Sequence, residues 1–105
     1  MNIPKKIRIG SVDYEVVLTD ENLVLNGREV YAWIDYNYHL IKINRNLQDK
    51  QGQEQTFLHE LMHGIVKERS LEIGNCDEET LVEELAIGLH QVIRDNPCIF
   101  LKNEG

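Results

Sequence analysis

Residues 54–67 read EQTFLHELMHGIVK, and this segment indicates both the fold and the chemistry of the 105-residue chain. Its apolar side chains recur at the i, i+3, i+4, i+7 spacing of an α-helix that is buried along one stripe. These are Phe57, Leu58, Leu61, Met62, Ile65 and Val66. His59 and His63 border the stripe, so the pattern predicts a helix with two imidazoles at the edge of the core.

The two histidines belong to a His-Glu-x-x-His arrangement over residues 59–63. Positions i and i+4 of a helix are neighbours, about 6 Å apart, so both imidazoles can bind a single Zn²⁺. Glu60 lies about 100° around the helix from His59, where it can accept a proton without binding the metal. The motif therefore predicts metal-assisted hydrolysis, and an ordinary helix with two unremarkable histidines is the alternative.

Charge and composition narrow the possible partners. Eighteen acidic against eleven basic residues give a net charge of −7, which argues against unaided binding to nucleic acid. No apolar run follows the positive charges of the first residues, so we expect no signal peptide, and no apolar run is long enough to cross a bilayer. Cys76 and Cys98 lack the paired spacing of a disulfide framework or a thiolate zinc site. We expect a soluble, cytoplasmic protein with no membrane contact.

The first half of the chain alternates with the period of β-strands. Residues 7–16 predict a hairpin around Gly10-Ser11, and residues 30–35 and 40–44 predict two further strands. Residues 19–27 predict a loop. These elements predict a small antiparallel sheet of about four strands.

A second helix is expected after the motif helix. Asn75 with Glu78 resembles a capping box, so the helix is predicted to start there and to end near Asp95, because Pro97 disfavours helix at the preceding residue. Its apolar stripe can pack on the motif helix. The fold class is therefore α+β, a small sheet followed by two packed helices.

A hydrolytic zinc site normally has three protein ligands, so the histidines require a partner. Glu83 and Glu84 on the second helix are the candidates. The helix phase favours Glu83, which stands beside the buried stripe, whereas Glu84 is expected to point toward solvent. The preceding acidic residues, Asp77 to Glu79, fit a solvated helix N-terminus.

The motif followed by Glu83-Glu84-Leu85-Ala86 resembles the gluzincin pattern, in which His-Glu-x-x-His is completed by a downstream Glu with Ala three residues later. The spacing also resembles thermolysin-like enzymes. More closely, the small N-terminal sheet, the Phe-Leu-His-Glu helix entry and the segment at residues 82–97 are similar to a family of small phage and prophage proteins. That family is classed near the minigluzincins and the ImmA/IrrE metallopeptidases, and the resemblance covers most of residues 3–100.

The resemblance implies a single minimal gluzincin-like metallopeptidase domain over residues 1–105. By this resemblance His59, His63 and Glu83 are zinc ligands and Glu60 is the catalytic base. The substrate is then a peptide or protein. An edge strand near residues 39–45 is a candidate to pair with an extended peptide.

Two features of the predicted cleft stay open. His90 follows Glu83 by two helical turns, so it is a candidate to stabilise the oxyanion, with a hydrogen bond to a metal ligand or simple packing as alternatives. The aromatic residues of the strand region either line the cleft or form core and cross-strand pairs. Because few residues follow Glu83, we expect catalysis that is weak, narrow in specificity or dependent on a protein partner that completes the cleft.

Two other classes of function fit the same residues. The first is a catalytically silent zinc-binding regulatory or interaction protein of a phage, which keeps the ligands for folding energy. The second is a metal-free accessory protein whose motif only packs. Metal content and the effect of Glu60→Gln on cleavage separate these classes from a hydrolase.

Overall fold

A computed structural model describes residues 1–100 and confirms the α+β class. Six short strands come first, and two helices and a 3₁₀ turn follow. The elements are β1 (Lys6–Ile9), β2 (Val12–Thr19), β3 (Leu23–Leu25), β4 (Arg28–Val30), β5 (Ala32–Asp35), β6 (Leu40–Asn44), α1 (Lys50–Glu68), α2 (Glu78–Asp95) and the 3₁₀ turn Pro97–Phe100.

The main sheet has four strands in the order β1-β2-β6-β5. The β1–β2 hairpin and the β5–β6 pair are antiparallel, as predicted. The β2–β6 pair is parallel, with Val16 opposite Ile41, so the expectation of a purely antiparallel sheet was wrong. A parallel pair needs a long crossover, and residues 20–39 supply one.

This strand order places the free edge of the sheet at β5 and not at β6. Since β6 lies between β2 and β5, residues 39–45 do not form an edge strand, and that prediction was wrong. The edge on this side of the sheet is β5. It contacts α1, so it borders the helix that carries the motif.

The segment predicted as a loop, residues 19–27, contains β3 and the turn of a separate hairpin, whose second strand β4 follows directly. Its turn is Asn26-Gly27, where both residues have positive φ, 54° and 76°. These are the conformations of a two-residue type I′ turn, which Asn-Gly favours. Each strand has only three residues, too few to show a clear alternation in the sequence.

The core lies between α1 and the sheet, and α2 packs against α1 and adds Ala86 to the core. Its fully buried members are Ile9, Tyr14, Val16, Ile41, Ile43, Phe57, Leu58 and Ala86. α1 packs tightly against the sheet at Gly64, where an added Cβ would lie 2.7 Å from Cδ1 of Ile9. Because Gly64 directly follows His63, this contact fixes the height of the motif above the sheet.

Both helices begin at an aspartate cap. Asp49 accepts a hydrogen bond from the Gly52 N–H at the start of α1. Asp77, and not Asn75, caps α2, because its carboxylate accepts from both the backbone N–H and the hydroxyl of Thr80. The acidic residues that follow Asp77 therefore occupy the first turn of α2, where the helix dipole stabilises negative charge.

Neither helix of residues 1–100 combines the length and apolar character needed to cross a bilayer. Both cysteines are exposed free thiols.

Candidate metal centre

The motif places its two histidines side by side at the border of the buried stripe of α1. Their side chains are 15% and 13% exposed, so each ring is mostly covered. The ring centroids are 4.9 Å apart and the ring planes meet at 64°. Both rings are directed toward the N-terminal half of α2, whose carboxylates contact all four ring nitrogens.

Glu79 of α2 lies between the two imidazoles. Its Oε1 is 2.6 Å from Nε2 of His59, and its Oε2 is 3.0 Å from Nε2 of His63. One donor atom from each of these three residues lies within 4.8 Å of the others. Two imidazoles and a carboxylate are a donor set of hydrolytic zinc sites. His59, His63 and Glu79 therefore form a candidate metal-binding triad.

The other nitrogen of each ring is held by a different carboxylate. Nδ1 of His59 lies 2.6 Å from Oε2 of Glu83, and Nδ1 of His63 lies 2.7 Å from Oε2 of Glu78. Metal-binding histidines commonly donate their second N–H to a carboxylate, which fixes the ring orientation. This pairing leaves the two Nε2 atoms as the convergent pair.

Glu83, the ligand predicted from the sequence, is thus brought to the site, but at the nitrogen of His59 that faces away from Glu79. Its role as a ligand stays a prediction. Glu84 is exposed and does not line the cavity beside the triad. The sequence reasoning missed Glu79 and Glu78, which it assigned to a solvated helix end. The available signal was the i, i+4 spacing of Glu79 and Glu83, which repeats that of His59 and His63 on the facing helix.

Glu60 forms part of the wall next to the triad. It is only 7% exposed, and it lines the cavity that the histidines border. Burial raises the pKa of its carboxyl above the usual range, while the neighbouring charges of His59 and His63 lower it. The residue is thus a covered carboxyl that reaches the cavity.

The triad opens into a cavity of about 870 Å³, which is large enough for a small ligand or a peptide segment. The β3–β4 hairpin, β5, α1 and α2 form its walls. Tyr31, Trp33 and Tyr36 line it, whereas Tyr38 is 82% exposed and lies outside its lining. Burial and the surrounding carboxylates raise the pKa of Tyr36 to about 12.

His90 lies elsewhere, buried between the two helices. It is 2% exposed, its Nε2 is 2.8 Å from Oε1 of Glu54, and its Nδ1 is 3.5 Å from the side-chain nitrogen of Gln55. Neither His90 nor Glu54 lines the cavity. This position supports the packing and hydrogen-bonding alternative, and a catalytic role for His90 stays a prediction.

No protein-family model, no curated protein sequence and no solved structure matches this chain. The features on which a function can be argued are therefore the His-Glu-x-x-His spacing and the candidate metal-binding triad that its histidines help to form.

Proposed function

We propose that the protein is a zinc-dependent peptide-bond hydrolase of the gluzincin type. The observation that supports it best is the convergence of Nε2 of His59 and Nε2 of His63 on a single α2 carboxylate, at 2.6 and 3.0 Å. A buried glutamate and a cavity lie directly beside this point. These are the three parts that hydrolysis of this class needs: ligands, a base and room for a substrate.

The residues proposed to hold the metal are His59, His63 and Glu79. Mixed nitrogen and oxygen donors of this kind suit Zn²⁺. Glu83 is the competing third ligand, and if Glu79 binds the metal, Glu83 orients the ring of His59 through Nδ1. A zinc ion bound there would act as a Lewis acid, polarising a carbonyl and making water more acidic.

Glu60 is the proposed general base. It follows the first histidine of the motif and reaches the cavity from the wall. In this role its carboxylate accepts a proton from the attacking water and passes it to the amine that leaves. Its burial raises the pKa of the carboxyl, which makes the carboxylate a stronger base.

The proposed substrate is an extended segment of a peptide or protein. The edge strand β5 borders the cavity, and its unpaired backbone groups can hydrogen-bond to such a segment. Leu25 and Tyr31 are about half exposed at the rim. We include in the proposal a protein partner that covers this rim and completes the cleft.

Cleavage by the zinc-loaded protein tests the hydrolase directly. A mixture of unstructured peptides is incubated with the protein, and the products are identified by mass spectrometry. Glu60→Gln should lower the rate by about 10²–10⁴-fold while zinc content and fold are retained. Glu84→Gln, on an exposed position outside the cavity, is the matched control and should leave the rate unchanged. Equal rates for the wild type and Glu60→Gln would exclude Glu60 as the base.

One observation favours a second candidate, a zinc-binding protein without turnover. The triad joins α1 to α2, so a bound ion would stabilise the helix pair whether or not a substrate is cleaved. In that case zinc raises the melting temperature of the wild type and of Glu60→Gln alike, and no peptide is cleaved by either.

A further inference from the structure

We propose that the cavity selects peptides carrying lysine or arginine side chains, with Glu29 on the β3–β4 hairpin as a recognising carboxylate. This inference names a substrate class for the site and so rests on the proposed function. It is carried by the charges that line the cavity and by a buried carboxylate directed into it.

The cavity has a strongly one-sided charge. Among the described residues, no lysine or arginine lines the cavity. They include five glutamates: Glu29, Glu60, Glu78, Glu79 and Glu83. A divalent cation at the triad would offset two of these five charges, so the lining stays acidic when metal is bound. A peptide with basic side chains complements such a surface, and an acidic one is repelled.

Glu60 is a second sign that the cavity receives a polar or cationic group. Its side chain is more than nine-tenths buried, and among residues 1–100 it takes part in no side-chain hydrogen bond or ion pair. No buried side-chain oxygen of the described residues lacks a hydrogen-bond partner, so the carboxylate oxygens of Glu60 are open to the cavity that the residue lines. A cationic group of a ligand, or water in the cavity, can contact them there.

Glu29 is the lining glutamate best placed to bind a basic side chain of a peptide. The other four lie on α1 and α2, where Glu78, Glu79 and Glu83 already contact the histidines. Glu29 is exposed on β4, at the opposite wall, and among the described residues it forms no ion pair. Tyr31 and Trp33 line the same wall. The ammonium group of Lys42 already lies 5.7 Å from the centre of the Trp33 ring, so the half-exposed Tyr31 is the aromatic side chain available to a further cation. This wall therefore offers both a carboxylate and an aromatic face to a basic side chain.

A second cavity next to the first is lined by a lysine, so the acidic surface ends there. It has a volume of about 350 Å³ and shares Tyr36, His63 and Glu78 with the first. Lys67 lines it and holds its ammonium group 5.7 Å from the centre of the Tyr36 ring. The preference for basic side chains is accordingly assigned to the Glu29 end of the groove.

Binding without turnover separates recognition from catalysis. Three fluorescent peptides of equal length differ only in having Lys, Gln or Glu at alternate positions, and their binding to zinc-loaded Glu60→Gln is measured by anisotropy. The Lys peptide should bind about tenfold or more tightly than the Glu peptide, and the difference should shrink as salt is added. In the background of Glu60→Gln, Glu29→Gln should reduce the preference severalfold. Glu15→Gln, an exposed glutamate of β2 outside the cavity, is the matched control and should not.

Equal binding of the three peptides, binding of none, or tighter binding of the Glu peptide would overturn the inference. Circular dichroism of each variant confirms that the hairpin change leaves the fold intact. Wild-type protein with the same peptides then tests the proposed function separately. Cleavage without a charge preference refutes the inference alone, whereas a preference for Lys without cleavage refutes the hydrolase alone.

Discussion

Replacing Gly64 by alanine should push α1 away from the sheet and destabilise the fold. The new Cβ would lie 2.7 Å from Cδ1 of Ile9 and 3.3 Å from Cδ1 of Ile34. Optimal carbon–carbon contacts are about 3.5–4.0 Å, so a gap of roughly 1 Å has to be opened. Ile9 is only 3% exposed, and it therefore has little room to turn aside. Overpacking of this kind costs about 1–3 kcal/mol.

Gly88→Ala is the matched control, because Gly88 also lies inside a helix but an added Cβ there meets nothing within 4 Å. Alanine in place of glycine gains about 0.8–1.0 kcal/mol in a helix interior, and both variants receive this gain. Their difference in unfolding free energy thus isolates the overpacking cost of about 1–3 kcal/mol. For a domain of this size, 1 kcal/mol corresponds to about 4–8 °C in melting temperature.

The assay is urea denaturation of metal-free protein, followed by circular dichroism, for the wild type and both variants. Gly88→Ala should be more stable than the wild type, and Gly64→Ala should be less stable than Gly88→Ala. The change at Gly64 should also weaken zinc binding, because it displaces the adjacent His63. If Gly64→Ala proves as stable as Gly88→Ala, the close contact between α1 and the sheet is refuted.

Three further predictions concern the contacts of Asp77, Tyr36 and His90. Asp77→Ala should lower the melting temperature at neutral pH, because hydrogen bonds from Thr80 hold the pKa of Asp77 below its usual range. The stability that ionised Asp77 contributes is present above its unfolded pKa, about 3.9, and is lost as the pH falls through the lower folded pKa. The melting temperatures of the wild type and Asp77→Ala should therefore converge at acid pH. The phenol of Tyr36 should ionise near pH 12, so its share of stability, present below about pH 10, is lost as the pH rises through 12. Tyr36→Phe should remove the matching step in phenolate absorbance, and a step that persists unchanged would contradict the assignment. His90→Phe should cost about 1–3 kcal/mol, because the buried Glu54 loses its hydrogen bond to His90 and keeps only the more distant amino group of Met1, at 3.8 Å, while cleavage per folded molecule is retained. Lost cleavage at unchanged stability would instead support a catalytic His90.

The helices could be predicted from the sequence because their apolar stripes are long. Each stripe spans several turns, so its period identifies the element and the buried face together. The β1–β2 and β5–β6 strands were also found, since their alternation and turns are local. The parallel pairing of β2 with β6 could not be predicted, because it depends on contacts between segments that are far apart in the chain.

The candidate site, like the fold, could be predicted only where the pattern is local in the sequence. The motif spacing identified His59 and His63, because two positions one turn apart on a helix share a face. The choice between Glu79 and Glu83 depends on how α2 is shifted along α1, and the periodicity of one helix carries no information on that shift. His90 shows the same limit, since it lies on the same face of α2 as Glu83 but two turns further along the helix, where its partner is Glu54 and not the motif.

Zinc stoichiometry and affinity, measured by elemental analysis and calorimetry on untagged protein, test the central claim most directly. The wild type should bind one zinc per chain, and Glu79→Ala should lose it. Glu83→Ala should bind about 10–100-fold more weakly if Glu83 only orients His59. Glu84→Ala should match the wild type. Absence of stoichiometric metal after incubation with zinc, or equal loss in all three variants, would contradict the account.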